Sequence, residues 1–394
     1  MSLRLRAAIA AAFIVCAFGA LPAMAAGEFT DSAGRIVVLP DRVNRVMPAN
    51  WAAEALIFVL DRNKLGGLGY GPPHGTAPRY GQLPIIAPLA GPNAAAMVAR
   101  LHPDVIIDAG PVTPARVAFA DQTTKATGVP YLIIDNSLDR TPTMLRVVGR
   151  LLGVADRGDD LAGSAEHAIN ALRGRLLIQP ATQRPRVYYG RGPSGLETVL
   201  PGSEAAASIE AAGAINVASA RAPSAPPTVT LQQLREWNPD IIIAEDRGFY
   251  AGALRNPGLA EVRNHKVFLE PSEPFGWIDD PAGVNRLIGL YWLSQIFYPG
   301  DSQDDLRSLM ADFYDKFYGI KLSDAQIGAI AKTAGIPPSD TPHLAALPGL
   351  GTVPGGANPA APEVPGAVNE PGRRGVLPNE TPPAMTTPSY LMPK

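Results

Sequence analysis

Apolar residues along this chain follow two periods: short continuous runs that predict buried strands, and longer stretches spaced at three and four that predict helices. The longest helical pattern lies in the middle. Met144, Leu145, Val148, Leu151 and Leu152 share one face after Thr141, an N-cap candidate, and Pro142 at the first helical position, and Gly153 stops the turn. A second run opens at Asp159 and Asp160, acids suited to a helix N-terminus. Leu161, Ala165, Ala168, Ile169, Leu172 and Leu176 form its apolar stripe up to Pro180. On either side stands the same phrase, Leu101-His102-Pro103-Asp104-Val105-Ile106-Ile107-Asp108 before it and Trp237-Asn238-Pro239-Asp240-Ile241-Ile242-Ile243-Ala244 after it. The pattern predicts two related α/β lobes joined by one helical spine.

In the first half, Asp31 to Gly34 predicts a hairpin turn ahead of a strand over 35–39, and 45–47 reads as a short strand. Pro48-Ala49-Asn50 leads into a helix carrying Trp51, Ala55, Leu56, Val59 and Leu60. Asn50 and Trp51 thus sit at a strand-to-helix turn, where ligands gather in open α/β sheets. A strand over 65–70 delivers Tyr70 and the loop 71–80 with His74, too polar and too rich in Pro and Gly to be core. A helix over 93–101 precedes strands over 104–108 and 129–134, which end at Ala109-Gly110-Pro111 and Asp135-Asn136-Ser137.

In the second half, a strand over 186–189 ends at Tyr189 and delivers Gly190-Arg191-Gly192-Pro193, and a helix runs over 203–212. Strand 240–244 delivers Glu245-Asp246-Arg247-Gly248-Phe249-Tyr250, and strand 266–269 delivers Glu270 through Trp277. Asp279 or Asp280 is expected to cap a helix begun by Pro281 that continues to Phe297 with Arg286 as its only charge, so it should be buried. Amphipathic stretches over 304–318 and 323–334 close the pattern.

The ends change the picture. Residues 1–26 read as a signal peptide: Arg4 and Arg6, an apolar run from Ala7 to Ala20, and Ala23-Met24-Ala25 for cleavage near Ala25 or Ala26. That run is too short for a membrane span, and Val15 before Cys16 lacks the small side chain that lipidation needs. Cys16 is the only cysteine, so the mature chain would hold no disulfide, no thiolate metal ligand and no thiol nucleophile. Loss of Arg4 and Arg6 takes the formal charge from -2 to -4, with no basic cluster to engage nucleic acid or anionic lipid. From about residue 336 to Lys394, Pro, Gly, Ala and Thr dominate without apolar periodicity, which predicts a disordered tail.

Candidate chemistry is sparse. Gly-x-Ser-x-Gly does not occur, and Gly190-Arg191-Gly192 lacks the lysine and spacing of a phosphate loop, which disfavours a serine hydrolase and a nucleotide site. No two of His74, His102, His167, His265 and His343 fall three or four apart, so a directly ligated metal is disfavoured and a metal is expected only in chelated form. Arg191 and Arg247 suit carboxylates, catecholates or oxyanions, unless Glu245 or Asp246 pairs with them. Trp277, Tyr189, Tyr250, Phe249 and Tyr70 read equally as ligand walls or as core.

The hairpin phrase 31–40, the two Pro-Asp phrases, Gly149-Arg150-Leu151-Leu152-Gly153 and the stretch Phe275-Gly276-Trp277-Ile278-Asp279-Asp280-Pro281 followed by Asn285-Arg286-Leu287-Ile288-Gly289 together resemble the periplasmic solute-binding proteins of ABC importers for iron-siderophore complexes and cobalamin. The resemblance implies an α/β fold of two Rossmann-like lobes, over 27–140 and 180–335, joined by an interdomain helix within 141–179, with the ligand cleft between them. It implies a monomeric, non-enzymatic protein of the periplasm that needs no cofactor of its own and hands a metal chelate to an inner-membrane ABC permease. A ferric siderophore is the expected ligand, with a molybdate-like oxyanion or an accessory enzyme on the same fold as alternatives. The implied contact residues are Asn50, Trp51, Tyr70, His74, Tyr189, Arg191, Arg247, Tyr250 and Trp277. The permease-docking acids usual in the family fall at Ala96 and Gln232, leaving Glu54, Glu204 or Glu236 as substitutes.

Overall fold

The computed structural model describes residues 27–68, 83–86, 94–255, 266–279, 281–299 and 305–336. The leader, Tyr70, His74, the cap candidate Asp280 and the tail from 337 lie outside the described residues. The chain opens with a hairpin of β1 (Gly27–Thr30) and β2 (Ile36–Leu39), paired from Gly27 with Leu39 to Thr30 with Ile36. Asp31 holds its turn by accepting from the amides of Ala33 at 2.9 Å and Arg35 at 3.0 Å. Its second oxygen accepts from the Ile133 amide at 3.1 Å, which ties the hairpin to the first lobe.

That lobe is built on a parallel sheet of β3 (Val46–Pro48), β4 (Val105–Ala109) and β5 (Tyr131–Ile134) in the order β3-β4-β5. Every residue of these strands is buried, as a parallel sheet covered on both faces requires. Helices α1 (Trp51–Asp61), α2 (Ala94–Leu101) and α3 (Pro114–Thr127) belong to it. The spine follows as α4 (Thr141–Leu151) and the longer α5 (Ala155–Ile178). The second sheet contains β6 (Arg186–Arg191), β7 (Glu197–Thr198), β8 (Ile215–Asn216), β9 (Ile241–Ala244) and β10 (Lys266–Leu269). Its order is β10-β9-β6-β7 with β8 also on β6, and only β7 runs antiparallel. Around it lie α6 (Glu204–Ala211), α7 (Leu231–Trp237) and α8 (Arg247–Arg255), and the chain closes with α9 (Arg286–Phe297), α10 (Leu306–Phe313) and α11 (Asp324–Thr333). This is an α/β fold of two lobes with parallel sheets.

The repeated phrase is one device used twice. His102 and Asn238 both adopt left-handed backbone, with φ of 46° and 42°, ending α2 and α7 so that a Pro-Asp pair can turn into the next strand. The aspartate then seizes the start of the neighbouring strand: Asp104 accepts from the Asn44 and Arg45 amides at 2.6 and 2.8 Å, and Asp240 from the Arg186 amide at 2.8 Å.

Several elements differ from the sequence expectation. The strand over 65–70 reduces to single bridges at Leu65 and Leu68 within the described residues. Thr141 is the first residue of α4 rather than its cap, and α5 begins at Ala155, four residues ahead of the Asp159-Asp160 start. Helix α3 has no clear apolar stripe to announce it. Its ends fix it: Thr113 Oγ1 accepts from the Arg116 amide at 3.2 Å, Pro114 takes the first turn, and Gly128 ends it at φ 72°. Residues 247–255 form a helix rather than a loop because Asp246 accepts from the Gly248 and Phe249 amides at 2.6 and 3.0 Å. Helix α9 starts at Arg286, not at Pro281. The buried Asn285 amide donates to the carbonyls of Gly276 and of Pro281, the latter at 2.8 Å, and so closes 276–285 into a loop.

Candidate functional site

Strand ends from the first lobe bring a polar cluster to one edge. Asn50 caps α1 by accepting from the Ala53 amide at 2.9 Å, and its own amide donates to Asp108 at 2.5 Å and to the Ala109 carbonyl at 2.9 Å. Asp108 is buried, accepts from the Tyr131 hydroxyl at 3.1 Å and lies 3.3 Å from the Arg116 guanidinium. Burial pushes its carboxyl pKa up despite the arginine. The Asn50 side chain is therefore spent on holding β3 and β4 together, and Trp51 beside it is half-buried with its ring edge-on to Phe275 at 6.4 Å.

The second lobe places an acid directly after each of two parallel strands, Glu245 after β9 and Glu270 after β10. Glu270 is buried. One of its oxygens accepts from the Ile278 and Asp279 amides, at 2.5 and 3.1 Å, and the other from the Tyr189 hydroxyl. Burial drives its pKa up to about 8, so at neutral pH this carboxyl is mostly protonated. Glu245 accepts from the Gly192 amide at 3.0 Å, and burial raises its pKa as well. Arg191 sits 3.3 Å from Asp279 and 3.9 Å from Glu245. Arg247 opens α8 and is exposed, and among the described residues no carboxylate pairs with it.

Two cavities flank the Arg191–Asp279 pair. One, of about 390 Å³, is lined by Gly192, Glu245, Arg247, Glu270, Ser272 and Asp279, among others. The other, of about 480 Å³, is lined by Arg191, Asp279, Thr198, Ser203 and Glu204 together with Val199, Leu200 and three prolines, among others.

The aromatic candidates stand elsewhere. Trp277 is fully buried, edge-on to Trp292 at 6.1 Å with its indole N–H toward the Tyr314 hydroxyl at 3.4 Å, so it shows no face to solvent. The Tyr189 ring is equally buried. It reaches the site only through its bond to Glu270. Tyr250, on α8, packs half-buried against the apolar cluster of Tyr188, Leu234 and Ile242. The structure thus gathers Arg191 and Arg247 at the second-lobe strand ends and puts Trp277, Tyr189 and Tyr250 into packing. Sequence reasoning left Glu270 and Ser272 without a role and gave Asp279 only that of a helix cap, although acids after consecutive strands were a readable signal.

The stretch from Phe275 to Gly289 joins the lobes. Arg286, wholly buried, donates to the Asn136 carbonyl of the first lobe, to the Gly283 carbonyl at 3.0 Å and to Glu204 of the second lobe at 2.7 Å. The Asn136 amide answers with a bond to the Ala282 carbonyl at 2.9 Å. Glycine is required twice: a Cβ on Gly276 would strike the Asp279 carbonyl, and one on Gly289 the Trp277 carbonyl. Among the docking substitutes, Glu54 is buried and Glu204 serves Arg286, whereas Glu236 is exposed beside Gln232.

Residues 97–274 match the sequence profile of the family described as periplasmic binding protein. The molybdate-binding protein MolA of Haemophilus influenzae is 31% identical over 180 residues, 44% of this chain and 50% of that protein, so the chain spans about half the length of the curated relative it matches. An ABC transporter solute binding protein from Sulfurospirillum deleyianum superposes with a TM-score of 0.70 at 24% identity, over 77% of this chain and 99% of that one. The structure of Haemophilus influenzae MolA bound to molybdate gives 0.63 at 24%, over 75% and 99%. A periplasmic vitamin B12 binding protein of Vibrio cholerae gives 0.53 at 17%, over 66% and 99%. At these identities the likeness is one of fold.

Proposed function

We propose, for a chain that has the fold of solved solute-binding proteins and matches the periplasmic binding protein profile over residues 97–274, the role of capturing an anionic solute in the periplasm and handing it to the permease of an ABC importer. The ligand we favour is a small oxyanion of the molybdate type, in line with the relative that is 31% identical over 180 residues. The observation that carries the reading is Arg247, an exposed guanidinium without a carboxylate partner among the described residues, at the rim of the 390 Å³ cavity. The acids around it are answered by protein donors: Asp246 by two amides, Glu245 by Gly192, Asp279 by Arg191, and Glu270 by two amides and the Tyr189 hydroxyl, with burial raising its pKa to about 8. A second reading, the ferric siderophore favoured by the sequence, rests on the larger cavity next door, where prolines and aliphatic residues stand beside polar ones and give room for an organic periphery.

Calorimetric titration of the mature protein with molybdate and with ferric chelates tests this. Arg247→Ala should weaken binding by about 2 kcal/mol or more if the guanidinium meets a desolvated anion. A loss under about 1 kcal/mol is what a solvated surface charge would give, and it would reject the site.

A further inference from the structure

Four acids line the 390 Å³ cavity, Glu245, Asp246, Glu270 and Asp279, beside the arginine Arg247. With all four ionised, such a pocket would repel an anion. Three of them have partners that suit a carboxylate: Asp246 accepts from the Gly248 and Phe249 amides, Glu245 from the Gly192 amide with Arg191 at 3.9 Å, and Asp279 lies 3.3 Å from Arg191. Glu270 is different. It is 3% exposed, and among the described residues no arginine or lysine forms an ion pair with it. One of its oxygens is committed to the Ile278 and Asp279 amides and the other accepts from the Tyr189 hydroxyl. A buried carboxyl without a cation is neutralised by a proton instead.

The charged and titratable groups around it are Tyr189 and Arg191 of β6, Glu245, Asp246 and Arg247 after β9, and Asp279 of the loop after β10. Burial and the neighbouring acids hold the Tyr189 hydroxyl well above its ordinary value, so it remains a donor to Glu270. Protonated, Glu270 carries its own hydrogen on the oxygen that Tyr189 meets, because the other oxygen faces two N–H groups. With Tyr189 already donating there, the carboxyl hydrogen is left for the cavity.

We propose that Glu270 selects the class of oxyanion: neutral, it donates a hydrogen bond to an anion that carries only acceptors, such as molybdate, and ionised, it repels that anion and favours one that brings a hydrogen of its own, such as hydrogen phosphate. The inference rests on the anion site assigned above to Arg247 and adds the group that chooses among oxyanions there.

The probes are molybdate and inorganic phosphate, titrated into the mature wild-type protein, Glu270→Gln and Arg247→Ala, with circular dichroism confirming the fold at each pH. Wild-type affinity for molybdate should be level below pH 7 and fall about tenfold between pH 7 and pH 9, as a group that titrates at about 8 loses its proton. Glu270→Gln stays neutral and keeps a donor, so its molybdate affinity should hold across that range. At pH 9 it should also prefer molybdate over phosphate by about fivefold or more relative to the wild type. A fall of the same size in the variant assigns the titration to another group, Glu245 first, and overturns the proposal. A flat wild-type profile overturns it as well, and that measurement needs no variant to fold. Arg247→Ala should weaken molybdate at every pH. If it does not, the site itself is misplaced and the inference falls with it; if it does, while wild type and Glu270→Gln keep parallel profiles, the role of Glu270 alone is rejected.

Discussion

Glu270 offers the sharpest physical test of the second lobe. Its carboxyl is ordinarily half-ionised near 4.5, but in the folded protein burial holds that midpoint at about 8. The folded state thus keeps a proton that the unfolded chain releases. Because the folded value is raised, its contribution to stability is fully present below 4.5 and is lost as pH rises through the folded value near 8. Within that window the loss runs at about 1.4 kcal/mol per pH unit and sums to about 5 kcal/mol. Replacement by glutamine preserves an oxygen for the Ile278 and Asp279 amides and removes the titration, while its NH2 reverses the remaining bond and donates to the Tyr189 oxygen. Urea unfolding of wild type and Glu270→Gln at intervals from pH 5 to pH 8.5 measures the difference. The variant should gain on wild type steadily with pH and level off above 8. Parallel stability profiles would show that Glu270 ionises normally, and would remove the argument that the cavity floor is uncharged at neutral pH.

Two further perturbations probe the junction of the lobes. Arg286→Ala strips the Asn136 carbonyl and Glu204 of a buried donor and should cost about 3 kcal/mol or more in urea unfolding; a loss below about 1 kcal/mol would mean water replaces it freely. Gly289→Ala drives a methyl group into the Trp277 carbonyl, and an overpacking cost of about 1–3 kcal/mol should appear as a lower denaturation midpoint, with an unchanged midpoint showing that α9 shifts to make room.

Much of the frame is legible in the order of apolar runs and turn residues. The strands β4, β5 and β9 fall where continuous apolar runs predict them, since a strand buried on both faces is apolar along most of its length, and β6 and β10 fall where shorter apolar runs between polar ends predict them. The Pro-Asp phrases told of a repeated connection because a left-handed residue, a proline and an acid are local requirements of that turn. Helix α3 was missed for the opposite reason: its caps define it and its stripe does not.

What the sequence determined by itself was the order of elements and the residue types delivered at strand ends, because hydrophobic period and turn chemistry act over a few residues. Tertiary structure decided what those residues meet. The alternation of β6 puts Tyr189 and Arg191 on one face, yet only the packed sheet decides that the first is walled in while the second reaches Asp279, far along the chain. The sequence marked Trp277 as a possible ligand wall and left Glu270 as one more acid. Burial made the tryptophan core and the acid a neutral floor, because desolvation depends on which distant segments close over a side chain, and no local pattern encodes that.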